Sequence, residues 1–127
     1  MKKQMTAVFD FDGVIAEYDG FKGNDIFGKV IIETKQTISA LKKMGWKVII
    51  FTTRAATPKL KKYLDDNEIG YDEINKNSDN PTGASDKPIA DIYIDDRAVN
   101  YHGQNKKELL QNIKDILSKN KYQYNKG

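Results

Sequence analysis

Two pairs of carboxylates stand out in this sequence: Asp10 and Asp12, separated by one phenylalanine, and the adjacent Asp95 and Asp96. Between the pairs lie Thr52-Thr53-Arg54 and, eight residues before Asp95, Lys87. Carboxylates crowded at one point repel one another, and an Mg²⁺ ion with oxygen ligands relieves that repulsion. Because Mg²⁺ tends to keep its waters and to share phosphate oxygens, such a cluster points to phosphoryl chemistry. One Asp can then attack phosphorus to form an aspartyl-phosphate, while a second protonates the leaving oxygen and later activates water. Asp10 and Asp12 have the spacing for those two roles. The phosphoryl oxygens also need a hydroxyl and a cation; Thr52 offers the first, and Lys87 or Arg54 the second.

Each feature has a plainer explanation when taken alone. A D-x-D is commonly a turn of solvated acids, and Thr52 and Thr53 could simply cap a strand end by bonding backbone groups. Lys87 precedes Pro88 in a polar loop, where a solvated lysine is as common as a functional one. Arg54 and Arg97 could serve as ion-pair partners that hold the acids apart, a duty that outweighs substrate contact for Arg97. His102, before Gly103, carries the pattern of a surface residue and is given no role. Tyr101, Tyr122 and Tyr124 with neighbouring lysines fit a solvated tail better than a base-stacking surface. Trp46 and the phenylalanines read as core, except Phe21 and Phe27, which could meet a leaving group.

The elements that must position these residues follow from periodicity. Residues 6–11 form a short β-prone run that stops at acids and Gly13, and residues 47–51 (K-V-I-I-F) are the clearest strand. Residues 90–94 (A-D-I-Y-I) are another, ending in Asp95-Asp96-Arg97, and 71–74 are a short edge strand. Helical spacing predicts helices over 30–44, closed by Gly45, and over 106–117. A third starts at Thr57-Pro58, an N-cap followed by proline at the first helical position, and closes before Gly70. Residues 14–29, rich in Gly, Asp and aromatics without helical period, read as an irregular flap or small hairpin, and 75–87 as a loop. Strands alternating with helices predict an α/β fold, a three-layer αβα sandwich around a parallel sheet. In such sheets ligands bind beyond the carboxyl ends of the strands, where Asp10, Asp12, Thr52, Arg54, Asp95 and Asp96 all fall.

The whole chain sets outer bounds. Its 127 residues suit one domain, with a tail from Ser118 expected to fray. With 21 basic and 18 acidic residues the formal charge is +3, too mild to call for a nucleic-acid or membrane partner. There is no cysteine, so any metal is held by oxygen ligands or His102, which favours a hard cation. No apolar run reaches the length of a signal segment or membrane span, and a soluble cytoplasmic protein is expected.

The residues Asp10-Phe-Asp-Gly-Val-Ile resemble the first motif of the haloacid dehalogenase superfamily, D-x-D-x-[TV] at the end of a hydrophobic strand. Val48-Ile-Ile-Phe-Thr52 is similar to its second motif and Lys87 to its third-motif lysine, while Ile92-Tyr-Ile-Asp95-Asp96 is similar to the acidic fourth. The motifs occur in the superfamily's order across nearly the whole chain. The resemblance implies an Mg²⁺-dependent phosphatase with Asp10 as nucleophile and metal ligand. It implies that Asp12 is the general acid/base and a metal ligand through its carbonyl, that Thr52 and Lys87 bind phosphate, and that Asp95 or Asp96, with a lean to Asp96, completes the metal shell. Lys87 lies closer to Asp95 than many relatives place it. Arg54 could share its role, as in the phosphatase half of phage polynucleotide kinases, which the T-T-R turn and the Asp-Asp-Arg segment resemble. The intervals at 14–29 and 75–86 are too short for a cap domain, so a capless member is implied. The substrate stays open among nucleotides, sugar phosphates, nucleic-acid ends and phosphoproteins, and an oligomer is compatible with the sequence. Two rivals stand beside it. A receiver-type signalling domain would place its adjacent acidic pair first and its phosphoacceptor Asp mid-chain, the reverse of the order here. A non-catalytic binding protein of the same fold would keep the residues without turnover.

Overall fold

A computed structural model describes residues 3–120. Four parallel strands, β1 (Thr6–Phe9), β2 (Lys47–Ile50), β3 (Glu73–Ile74) and β4 (Ile92–Ile94), form one sheet in the order β3-β2-β1-β4. Three helices, α1 (Ile32–Lys43), α2 (Pro58–Asp66) and α3 (Lys106–Lys119), complete the described elements of an α/β fold of Rossmann-like sandwich type. The interior strands β1 and β2 are the most apolar, and every residue of β2 is buried. That follows from their position: a strand paired on both sides and covered on its faces leaves no room for alternation with polar groups.

One sheet face carries Ala7, Phe9, Val48 and Ile50, which pack with Ile38 of α1 and Leu60 and Leu64 of α2 in a single core. Successive β1-to-β2 and β2-to-β3 steps move the same way across the sheet, so right-handed crossovers put both helices on one face. The opposite face buries Val8 and Ile49 and then turns polar. There the buried Lys47 ammonium meets Asn77 Oδ1 at 2.7 Å, Glu73 at 2.9 Å and Asp79 at 3.0 Å. Burial lowers the Lys47 pKa, but the hydrogen bonds and charges of Glu73 and Asp79 outweigh it and the net shift is upward. Glu73 is held down to about 2, first by the Ser78 amide and then, against burial, by Lys47 and the Ser78 hydroxyl. This network ties residues 77–79, part of the loop expected over 75–87, to the sheet.

Several boundaries differ from the periodicity by one or two residues: α1, β2 and β3 are each shorter than expected. β1 stops at Phe9 because the Phe11 amide turns onto Asp10 Oδ1 (2.8 Å), and the Ile15 and Ala16 amides then both donate to the Phe11 carbonyl. β4 starts at Ile92, not Ala90, since Asp91 takes the Thr6 amide on its side chain at 2.8 Å. α3 continues to Lys119, where the sequence suggested fraying from Ser118. Residues 121–127, with Tyr122 and Tyr124, lie outside the described residues. The Thr57 cap forms as expected, its hydroxyl accepting from the Leu60 amide at 3.2 Å.

The chain divides into two compact units, Met1–Ile94 and Asp95–Gly127. The first holds the sheet, α1 and α2; the second holds α3, capped by Asn105 through the Glu108 amide. Among the described residues no helix is long and apolar enough to cross a membrane.

Candidate active site

The first unit delivers its polar residues to one rim of the sheet. Asp10 follows β1 directly, and its amide donates to the Ile94 carbonyl of β4 at 2.9 Å. Phe9 lies in register with Ile94 on one side and Ile50 on the other, so β1, β2 and β4 end level with one another. Thr52 follows β2 by two residues, and Asp95 is joined to Ile94 by the next peptide bond. The parallel direction of all strands is what makes these ends coincide.

Thr52 is held from both sides. Its amide donates to Asn75 Oδ1 at 2.7 Å, and its hydroxyl oxygen accepts from the Arg54 amide at 3.2 Å. Asn75 Nδ2 completes the brace by donating to the Arg54 carbonyl at 3.0 Å. Asn75 sits at φ 59°, in the left-handed region that asparagine tolerates better than most residues. Sequence reasoning missed it: it appeared only as one polar residue in a loop-like run, and the signal available was an Asn immediately after a strand-like segment.

Arg54 is only 3% exposed, and its guanidinium is fully engaged. Nε donates to Asp12 Oδ2 at 2.8 Å and Nη2 to Asp12 Oδ1 at 3.1 Å, a bidentate pair. Nη1 donates to the Gly23 and Asn24 carbonyls, both at 2.8 Å, and Nη2 also to the Ile26 carbonyl at 3.1 Å. The rings of Phe11, Phe21 and Phe27 surround the cation at 5.7, 5.5 and 5.1 Å from their centroids. A guanidinium has five N–H bonds, and all five are used here within the protein. Arg54 was a candidate both for phosphate binding and for ion pairing, and in this arrangement its N–H groups are spent on Asp12 and three loop carbonyls.

The flap expected at 14–29 is a closed loop. Ala16 bridges Val30, the Glu17 amide donates to the Lys29 carbonyl at 2.8 Å, and Tyr63 Oη donates to the Gly28 carbonyl at 2.8 Å. Burial first, then the charges of Asp12 and Glu17, push the Tyr63 phenol up, which keeps it a donor. Farther along the loop, Asp25 accepts from the Thr57 hydroxyl at 2.8 Å. Phe27 packs edge-on against Phe11 and tilts onto Tyr63, whereas Phe21 stays exposed.

Lys87 takes a different place from the other candidates. Its ammonium lies 4.9 Å from the centroid of Tyr93, and its carbonyl accepts from Asn80. Tyr93 and Ile94 point to opposite faces of β4, so Lys87 stands over the face that the α1–α2 core does not cover. In the second unit, Asp95 Oδ1 accepts from the Arg97 amide at 2.8 Å, and the Asp96 carbonyl accepts from Asn120 at 3.0 Å.

No protein-family model and no curated protein matches this sequence. Two solved structures share its fold. A conserved protein from Bacteroides thetaiotaomicron is 25% identical, with 92% of this chain and 93% of that one covered and a TM-score of 0.59. A protein from Vibrio cholerae is 20% identical, with 88% and 98% covered and a TM-score of 0.50. The likeness defines the class, an α/β protein with a parallel sheet.

Proposed function

We propose that this protein is a magnesium-dependent phosphatase in which Asp10 takes the phosphoryl group. The observation that carries the reading is the register of β1 with β2 and β4, tied at its end by the Asp10-to-Ile94 hydrogen bond. It supports one rim shared by Asp10, Asp12 and Thr52, level with the end of β4. Asp10 and, in the second unit, Asp95 and Asp96 are the proposed ligands; all offer carboxylate oxygens, which suit a hard divalent cation. When bound there, the cation neutralises charge on the phosphoryl oxygens.

The residues then divide the work. A carboxylate oxygen of Asp10 attacks phosphorus as the ester P–O bond breaks, and Asp12, protonated for this step on an oxygen lone pair that its Arg54 bonds leave open, delivers that proton to the departing oxygen. Asp12, now a carboxylate, takes a proton from the water that attacks the aspartyl-phosphate, which releases phosphate and restores Asp10. The Thr52 hydroxyl, oriented by its turn, donates to a phosphoryl oxygen. Such an enzyme takes a phosphomonoester from the nucleotide, sugar-phosphate, nucleic-acid-end or phosphoprotein classes. The test is phosphate release from a panel spanning those classes with Mg²⁺, repeated after chelation. Turnover that needs the metal and vanishes in Asp10→Asn is expected, and a panel with no turnover contradicts the proposal.

A further inference from the structure

We infer that Arg54 is a positioning residue, a clasp that makes the order of the 17–29 loop and the orientation of Asp12 a single event, and that it is not a ligand of the phosphoryl group. Four observations converge on it. The guanidinium is almost wholly buried, so it cannot reach outward without breaking bonds already made. Two of its N–H groups fix both oxygens of Asp12, and the other three hold the Gly23, Asn24 and Ile26 carbonyls. Those three carbonyls belong to a stretch with neither helix nor strand, whose backbone acceptors have no ladder to satisfy them. The Asn75 brace on the Thr52 amide and Arg54 carbonyl sets where the arginine starts from.

The consequence is mutual dependence. Without Asp12 the buried cation loses its counter-charge, and without the loop carbonyls it loses three of its five acceptors, so each half stabilises the other through one side chain. A lysine in its place keeps the charge but has no planar fork to span a carboxylate and three carbonyls. The kinetic part of this inference rests on the phosphatase reading, whereas the coupling of loop and carboxylate stands on the geometry alone.

The experiment compares wild type, Arg54→Lys and Asp12→Asn by hydrogen exchange, with inhibition of para-nitrophenyl phosphate turnover by inorganic phosphate measured alongside for Arg54→Lys. Loss of charge-assisted bonds should speed exchange of the 20–26 amides about tenfold or more in both variants while the β2 amides stay protected. In Arg54→Lys kcat should fall about tenfold or more, while inhibition by phosphate should stay within about twofold of wild type. Unchanged loop exchange in Asp12→Asn overturns the coupling. A phosphate affinity reduced about tenfold or more in Arg54→Lys, with the loop undisturbed, makes Arg54 a phosphate ligand instead. Should Arg54→Lys lose β2 protection, Asp12→Asn decides the coupling by itself. A wild-type protein that turns over no ester ends the phosphatase reading, yet the exchange data still decide the clasp.

Discussion

Asp12 presents both carboxylate oxygens to one buried guanidinium, so the orientation of this side chain is set by a residue 42 positions away in sequence. Asn75 has a comparable influence on the Thr52 turn. Asn75→Ala strands the Thr52 amide and the Arg54 carbonyl and keeps the left-handed backbone without the residue type that tolerates it. A loss of about 1–3 kcal/mol is expected, read as a lowered denaturant midpoint, with Asn75→Asp losing less because it still accepts from the Thr52 amide. Asp10, Asp12 and Thr52 were legible as candidates because each stands where an apolar β-branched run stops. The commitment of Arg54 was not, because backbone carbonyls carry no sequence signature and three of its acceptors are carbonyls.

Among the elements, the loop over 17–29 depends on a close approach at its base. A Cβ on Gly28 would stand 2.0 Å from the Glu17 carbonyl oxygen, inside any tolerable contact. Gly28→Ala should therefore force the base apart. Hydrogen exchange at the Glu17 amide, which donates to the Lys29 carbonyl at 2.8 Å, should accelerate while β1 and β2 keep their protection. The loop was readable in sequence as lacking a helical period, but its closure was not, since it depends on contacts with Tyr63, Arg54 and Thr57 from distant segments. The helix start at Thr57-Pro58 was fully legible, because a hydroxyl cap and a proline at the first position are local chemistry. The strand ends shifted by one or two residues where a side-chain carboxylate took an amide from the ladder, a competition that propensity does not encode.

Across the molecule, a parallel sheet of few residues per strand is stabilised on one face by the α1–α2 core and on the other by the Lys47 network. Glu73, lowered from 4.5 to about 2, binds its proton more weakly folded than unfolded. Its contribution is therefore complete above about pH 4.5 and is lost as the pH falls towards about 2. Denaturant midpoints taken across that interval should drop in wild type and drop less steeply in Glu73→Gln. The α/β class and the order of elements were legible from alternating periodicity, because each element carries its own local pattern. Acid quench during turnover of para-nitrophenyl phosphate with Mg²⁺, followed by mass spectrometry, tests most directly whether phosphorus bonds to Asp10. A phosphoryl adduct is expected on the peptide that holds residue 10, increased in Asp12→Asn, where breakdown is slowed by roughly a hundredfold or more. An adduct on any other residue, or phosphate release undiminished in Asp10→Asn, would contradict it.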